Sequence, residues 1–317
     1  MPKTEAQPRV GTTLETEVCA VQTVGGEVSR GSDGFEAAEG WWAQHYWLPR
    51  VVYWGIHASC LLALWVGVST DALLLFAATF SLRMLGITGA FHRYFAHRTY
   101  KTSRPFQFVL AVLGTMATQK GPLWWASHHR THHRFSDQPG KDVHSPKDGF
   151  YHAHQGWIFD GRWDATDLKQ IRDFAQYPEL VWLNRWHFVP PAALALLCFA
   201  VGGLAGVIWG FSISTVVLWH LTYSINSLAH LWGTRRYDTA DTSRNNALLG
   251  LLTFGEGWHN NHHHFAASAR QGFFWWEIDV TYYVLRALAA VGLVWDLREP
   301  PARVIRGESP SHLRRAA

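Results

Sequence analysis

Histidine is abundant and clustered in this chain, and its imidazole ring is a common metal ligand. The chain holds 19 histidines among 317 residues, and most fall in three segments: His92-Arg93-Tyr94-Phe95-Ala96-His97, His128-His129-Arg130-Thr131-His132-His133 and His259-Asn260-Asn261-His262-His263-His264. In the last two segments a histidine is followed three and four residues later by an adjacent pair, and these positions share one side of an α-helix. Adjacent helix positions diverge by about 100°. Each pair therefore predicts ligands to two different metal ions.

The ligand type alone does not choose the metal, because imidazole binds iron, zinc, copper and nickel. The clusters together with His230 offer enough neutral imidazoles to fill two coordination spheres and still leave positions for oxygen. Zinc is redox-inert, whereas iron with dioxygen and supplied electrons can remove hydrogen from an unactivated methylene. The sequence therefore favours a di-iron site. Isolated histidines such as His57 and His220 are instead predicted to be packing or surface residues.

Two long apolar regions must position these clusters. Region 51–91 contains only two charged residues, and region 188–229 contains none. A helix of about 20 apolar residues crosses the hydrocarbon layer of a bilayer, so each region predicts a pair of membrane spans: about 51–69, 72–91, 188–206 and 208–229. An aromatic content of 15% with only 16% charged residues fits this interpretation. The net charge of +4 decides little, and no nucleic-acid partner is predicted.

Four spans would place residues 92–187 and 230–317 on one side of the membrane. The two short turns on the opposite side contain no basic residue. Six basic residues surround the first two histidine clusters: Arg93, Arg98, Lys101, Arg104, Arg130 and Arg134. Because basic residues concentrate on the cytoplasmic side, the sequence predicts an all-α, multi-pass integral-membrane fold with its histidines facing the cytoplasm. The polar tail 1–40 is predicted to be flexible and the tail 298–317 disordered, which leaves 41–297 as the catalytic domain.

Several blocks between the histidine segments resemble the membrane fatty acid desaturases of the Δ9 type. They are Gln119-Lys120-Gly121-Pro122-Leu123-Trp124-Trp125, Asp142-Val143-His144-Ser145-Pro146, Thr253-Phe254-Gly255-Glu256-Gly257-Trp258 and Ser268-Ala269-Arg270-Gln271-Gly272. The similarity covers residues 45–295. It is greatest to the cyanobacterial and plant acyl-lipid branch of this stearoyl-CoA desaturase-like family.

The resemblance implies a fold and a reaction. The fold is four transmembrane helices with a cytoplasmic helical cap. The reaction is oxygen-dependent introduction of a cis double bond, at Δ9, into a long-chain acyl group, with two Fe2+ ions, dioxygen as co-substrate and electrons from a separate ferredoxin or cytochrome b5. Carried over position by position, the resemblance implies iron ligation by His92, His97, His129, His132, His133, His230, His259, His262 and His263, and by Asn226 through water.

The substrate headgroup is open between a lipid and a thioester. Ser127 and His128 stand where animal acyl-CoA desaturases have an Arg-Asp pair, which moves the expectation toward acyl groups on membrane lipids. His128 and His264 are predicted to be neighbours of the site or additional ligands.

Four further residues have predicted supporting roles. Trp157 and Trp258 are candidates for lining the acyl tunnel, with core packing as the alternative. Asp137 and Glu256 are candidates for accepting hydrogen bonds from metal-bound imidazoles, which usually have such a partner.

Two other functions compete with desaturation. A membrane di-iron hydroxylase would have similar histidine content but would insert oxygen into its fatty acid or alkane substrate. A non-enzymatic metal carrier would be expected to place ionisable ligands inside its spans, whereas these clusters lie just outside the predicted spans.

Overall fold

The computed structural model describes residues 47–308, so the predicted flexible tail 1–40 lies outside the described residues. The described part is mostly helical, which confirms the all-α prediction at that level. The α-helices are α1 Trp47–Ser59, α2 Ala63–Val66, α3 Thr70–Leu85, α4 Arg104–Thr115, α5 Pro122–Phe135, α6 Phe150–His154, α7 Arg172–Ala175, α8 Pro178–Arg185, α9 Val189–Gly206, α10 Ser214–Asn226, α11 Leu228–Leu231, α12 Ala247–Leu252, α13 His259–His264, α14 Val280–Ala290 and α15 Ala302–Ile305.

Other regular elements are short. The 3₁₀ turns are Cys60–Leu62, Pro146–Asp148, Gly156–Phe159 and Gly161–Trp163, and two π-helical segments, Gly86–Ala96 and Val207–Ile213, continue α3 and α9. A single antiparallel pair of strands within the described range joins β1 Lys101–Thr102 to β2 Val294–Trp295.

Two helical stretches, Thr70–Ala96 and Val189–Leu231, are long and apolar enough to cross a membrane. The second is interrupted at Gly202 and Gly203, whose backbone angles are not helical, and Cys198 before the break lies against Gly206 after it. The chain therefore folds back earlier than the predicted boundary between 206 and 208, because Gly203, at φ 56°, can adopt a left-handed conformation. The count of four spans stays a prediction.

The first two predicted spans meet at a turn that differs slightly from expectation. The predicted spans 51–69 and 72–91 leave residues 70–71 for the turn, but α3 already begins at Thr70. Ser69 ends the turn as the N-cap, because its Oγ accepts a hydrogen bond from the backbone N–H of Ala72 at 3.2 Å. Gly67, with φ of 68°, ends the helical stretch before it.

The π-helical segment Gly86–Ala96 presents the first histidine cluster. Every one of its residues is buried. Close packing on α4 requires Gly86, because a Cβ atom there would lie 2.5 Å from the backbone oxygen of Leu113. Such π-helical segments are frequent at functional sites, and here the segment brings His92 into the interior while His97 terminates it.

The C-terminal boundary of the ordered domain lies beyond the predicted position of 297. Residues 298–308 are described and include α15. Its Val304 is buried in a small core with Tyr237 and Phe273, and Arg298 donates a backbone hydrogen bond to Thr99 at 2.9 Å. The predicted disordered tail 298–317 thus includes a buried apolar residue, Val304, within a Pro- and Arg-rich sequence. Residues 309–317 lie outside the described range.

Candidate metal centre

The nine histidines expected from the resemblance lie in two groups. Within each group the potential ligand nitrogens are all within 4.8 Å of one another. The five-histidine group contains His92, His97, His129, His133 and His262, and the four-histidine group contains His132, His230, His259 and His263. Each group could therefore hold one metal ion.

The helices α5 and α13 contribute to both groups in a reciprocal way. From α5, His129 and His133 join the five-histidine group while His132 joins the other. From α13, His259 and His263 join the four-histidine group while His262 joins the first. In each helix the first histidine and the one four residues later therefore belong to the same group, whereas the one three residues later belongs to the other group. This is what helical geometry predicts for adjacent histidines.

Burial keeps most of these imidazoles neutral. Burial first, and neighbouring imidazoles second, hold the pKa values of five of them well below the usual range for histidine: His97, His129, His133, His259 and His262. Neutral imidazole is the form that binds a metal ion. The pKa of His132 is raised instead, because the adjacent Asp142 outweighs the effect of burial.

Carboxylates contact the outer nitrogens of four histidines. The Nδ1 atom of His132 lies 2.8 Å from Asp142, and that of His263 lies 2.7 Å from Asp241. The Nδ1 atom of His230 lies 3.2 Å from Asp137, and that of His92 is paired with Glu256. A carboxylate at Nδ1 holds the proton there, so that Nε2 presents its lone pair to the group.

The hydrogen bonds also keep these carboxylates ionised. Burial alone would raise the pKa of Asp137, but the nearby His230 and hydrogen bonds from Thr242 lower it to about 2. The pKa values of Asp142 and Asp241 are likewise lowered against the effect of burial, chiefly by His132 and His263 respectively.

Sequence reasoning found two of the four carboxylates. Asp137 lies 3.2 Å from the Nδ1 atom of His230, and Glu256 is paired with His92. Asp142 and Asp241 were missed, although Asp142 belongs to one of the conspicuous blocks, ten residues from its partner. Asp241 sits in a polar loop with no distinguishing pattern. His144 was also missed: it is buried, and its ring centre lies 4.3 Å from that of His132.

The donor set fits a transition metal such as iron. Nine imidazole nitrogens suit iron, zinc, copper or nickel far better than magnesium or calcium, which prefer oxygen. The Nε2 atom of His263 is buried without a hydrogen-bond partner, while its Nδ1 is held by Asp241. A buried acceptor of this kind is costly unless a donor or metal ion satisfies it.

An aromatic-lined cavity of about 50 Å³ adjoins the five-histidine group. Its lining includes His129 of that group, together with His128, His144, Trp157 and Asn226. His128 has a pKa lowered to about 4, mainly by burial, and its Nδ1 contacts the Trp124 carbonyl at 2.7 Å. His128 belongs to neither histidine group.

Two other predicted residues lie away from this cavity. Trp258 packs against Gly250, and its indole N–H donates to the carbonyl of Ile278 at 2.8 Å. His264 stacks on Tyr237 with ring centres 4.0 Å apart and contacts the carbonyl of Val304. His264 is absent from both groups.

Three isolated histidines form a row outside the two groups. His57 contacts His220 through their Nε2 atoms at 3.1 Å, and the Nδ1 of His220 lies 2.9 Å from the Nε2 of His154. Because His220 uses a different nitrogen for each neighbour, the row does not converge on one point as a chelating site would. It connects α1, α10 and α6, in keeping with a packing role.

The fold and the site together define a class: histidine-rich, membrane-associated proteins whose histidine groups could hold metal ions. A family model described as fatty acid desaturase matches residues 69–293. Because this match covers well over half of the sequence, the chain belongs to the fatty acid desaturase family. The resemblance inferred from the motifs is confirmed.

Curated relatives support the same assignment. The chain is 38% identical over 220 residues to the palmitoyl-monogalactosyldiacylglycerol delta-7 desaturase of Arabidopsis thaliana, covering 68% of this chain and 59% of the relative. It is 36% identical over 231 residues to the icosanoyl-CoA 5-desaturase of Limnanthes douglasii, covering 70% and 63%. It is 36% identical over 257 residues to the sn-2 palmitoyl-lipid 9-desaturase of Nostoc sp. (strain 36), covering 80% and 90%.

These relatives are named as desaturases, and desaturases are oxidoreductases. The chain spans less than two thirds of the length of the two plant relatives but most of the cyanobacterial one. The bond position in the three names differs, being 7, 5 and 9, and so does the acyl carrier.

Proposed function

We propose that this protein introduces a cis double bond into a long-chain fatty acyl group, using dioxygen and two Fe2+ ions held by the nine histidines. One observation carries the proposal: in a chain of the desaturase family, the histidines separate into two adjacent groups that could each hold one ion. When bound, two iron ions would supply the activation of dioxygen that removal of hydrogen from a methylene requires.

The protein's own residues would hold and orient the reactants. His129 belongs both to the five-histidine group and to the cavity lining, so an acyl segment in the cavity would lie beside the metal site. Trp157 stacks on Trp124 at the cavity, with ring centres 6.0 Å apart, and these indoles would exclude water from the reacting carbons. Asn226 also lines the cavity, in keeping with the proposed contact to iron through water.

The proposed setting is a multi-pass membrane protein whose site faces the cytoplasm. Four spans at about 51–69, 72–91, 188–206 and 208–229 would support a helical cap. The arrangement is supported by the membrane-length stretch Thr70–Ala96, which contains His92 near its end, and by the backbone break at Gly202 and Gly203. Both features would place the histidines at the end of spans and not within them.

We propose Δ9 as the position and a membrane lipid as the acyl carrier. One relative that matches over most of both lengths, 80% of this chain and 90% of its own, is named as a lipid 9-desaturase. Ser127, which with His128 replaces the charged pair of animal acyl-CoA desaturases, is fully buried, and its hydroxyl donates to the Trp124 carbonyl at 2.9 Å. It would therefore not bind a charged headgroup. The two electrons would come from a separate ferredoxin or cytochrome b5.

The test is expression in a desaturase-deficient host, with gas chromatography and mass spectrometry of double-bond derivatives. The wild type is expected to yield a new cis alkene. His132→Ala is expected to abolish it while membrane insertion is retained, and His264→Ala, outside both groups, is expected to retain it. Hydroxy acids without new alkenes would favour a hydroxylase. Zinc without iron in the purified protein, and no oxygen consumption with a reduced donor, would favour a carrier.

A further inference from the structure

We infer that the two metal positions are unequal, and that the four-histidine group binds its ion more tightly and fills first. The inference rests on the proposed function, because it assumes that both groups hold iron. It follows from the acidic residues that contact the histidines, which are distributed unevenly between the groups.

Three carboxylates support the four-histidine group. Asp142, Asp137 and Asp241 contact His132, His230 and His263 respectively. Within residues 47–308, none of these three carboxylates forms an ion pair with an arginine or lysine. The carboxylates also accept hydrogen bonds from neutral groups. Asp142 accepts one from the backbone N–H of Asp137, Asp137 accepts one from the Thr242 hydroxyl, and Asp241 accepts one from the backbone N–H of Ser243.

One carboxylate supports the five-histidine group, and a cation shares it. Glu256 is paired with His92, but it also accepts a hydrogen bond from Arg93 at 3.2 Å and one from Gln271 at 3.3 Å. Arg93 is almost completely buried and also pairs with Asp279 at 2.9 Å. Asp279 lies away from the imidazoles, where it caps α14 through the N–H of Tyr282 at 3.0 Å.

This distribution changes the strength of the imidazole ligands. A carboxylate that accepts the Nδ1 proton raises the basicity of the opposite nitrogen and so strengthens its bond to a metal ion. The buried negative charges also attract a dication strongly, because the interior screens charges less than water does. In the four-histidine group two of four ligands have this hydrogen bond, and the Nδ1 of a third, His230, lies 3.2 Å from Asp137, all without a competing cation. In the five-histidine group one of five has it, and Arg93 offsets part of that charge.

The test is an anaerobic titration of the metal-free, full-length protein in detergent with Fe2+ alone, measuring bound iron per chain. The wild type is expected to bind two ions in two separate steps. Asp142→Asn is expected to weaken the tighter step by about 10–100-fold and to leave the other unchanged. Glu256→Gln, the matched variant in the other group, is expected to weaken only the looser step.

Asp241→Asn provides a second variant on another segment, in case Asp142→Asn does not fold, and it should reproduce the loss of the tighter step. Two steps of equal affinity in the wild type would overturn the inference, as would a Glu256→Gln variant that loses the tighter step. A wild type that binds no iron, or only one ion, would instead refute the proposed function, so the two failures are distinguishable.

Discussion

Gly257→Ala is expected to disrupt the four-histidine group without altering any histidine. A Cβ atom at this position would lie 2.0 Å from the backbone nitrogen of Gly250 and 2.6 Å from the carbonyl oxygen of Asn246. Both neighbours are backbone atoms of the α12 region, so they cannot rotate away as a side chain could. The Gly257 carbonyl also accepts a hydrogen bond from the Asn246 N–H at 2.8 Å, which ties the two segments together.

The size of the effect follows from this overlap. Ordinary van der Waals contact begins at 3.4 Å, so the segments must separate by more than 1 Å. Overpacking of this kind costs about 1–3 kcal/mol, and rigid backbone on both sides favours the upper end. His259 lies two residues away, so its nitrogen would be displaced from the group. A misplacement of about 1 Å can reduce catalysis by about 100-fold, and we expect a loss of that order.

The assay measures the midpoint of unfolding, the iron content and the alkene yield of the variant. Gly55→Ala is the matched control, because no atom lies within 4 Å of a Cβ atom at Gly55. This position is in the exposed part of α1, where alanine should stabilise the helix by about 1 kcal/mol. A Gly257→Ala protein with the iron content, stability and alkene yield of the wild type would refute the reasoning from backbone contact.

Four further substitutions separate the roles of individual residues. His129→Ala is expected to remove iron from the five-histidine group, whereas His128→Ala should keep both ions and change the acyl preference; iron content and product analysis distinguish the two. Trp157→Ala should enlarge the acyl cavity and shift the products toward other chain lengths, and an unchanged product profile would argue against the cavity as the acyl site. His220→Phe removes contacts to His57 and His154, so it should lower the free energy of unfolding by about 2 kcal/mol, at about 1 kcal/mol per hydrogen bond, with two ions retained.

Features determined by local geometry could be predicted from the sequence. His132 and His133 were expected to reach different metal ions because adjacent helix positions diverge, and they do lie in different groups. That inference needed only the helix, which the spacing of the cluster itself suggested. His230 lies outside the clusters and was added because it directly follows the fourth predicted span; the family resemblance then implied its role as a ligand.

Features that depend on tertiary contacts could not be predicted in the same way. Asp241 reaches His263 across 22 residues, and nothing in its neighbourhood distinguishes it from any other loop aspartate. The position of the backbone break could not be chosen from the sequence, because four glycines lie in that region; in the structure the break falls at Gly202 and Gly203, with Cys198 packed against Gly206. Val304 is buried against Tyr237 and Phe273. These residues are distant in sequence, so this contact depends on the rest of the fold.

Helices α5 and α13 each supply histidines to both groups, so the two groups form together. The carboxylates that contact the histidines can nevertheless be distributed unevenly between the groups. Each helix supplies ligands to both groups, so neither group can assemble until both helices are in place, and a displaced helix should impair both metal sites. The carboxylates act differently, because each contacts one histidine. Asp142 and Asp241 can therefore strengthen one site without changing the other. The positions of α5 and α13 would determine whether two ions bind, whereas the carboxylates on the surrounding loops would determine how much the two binding affinities differ.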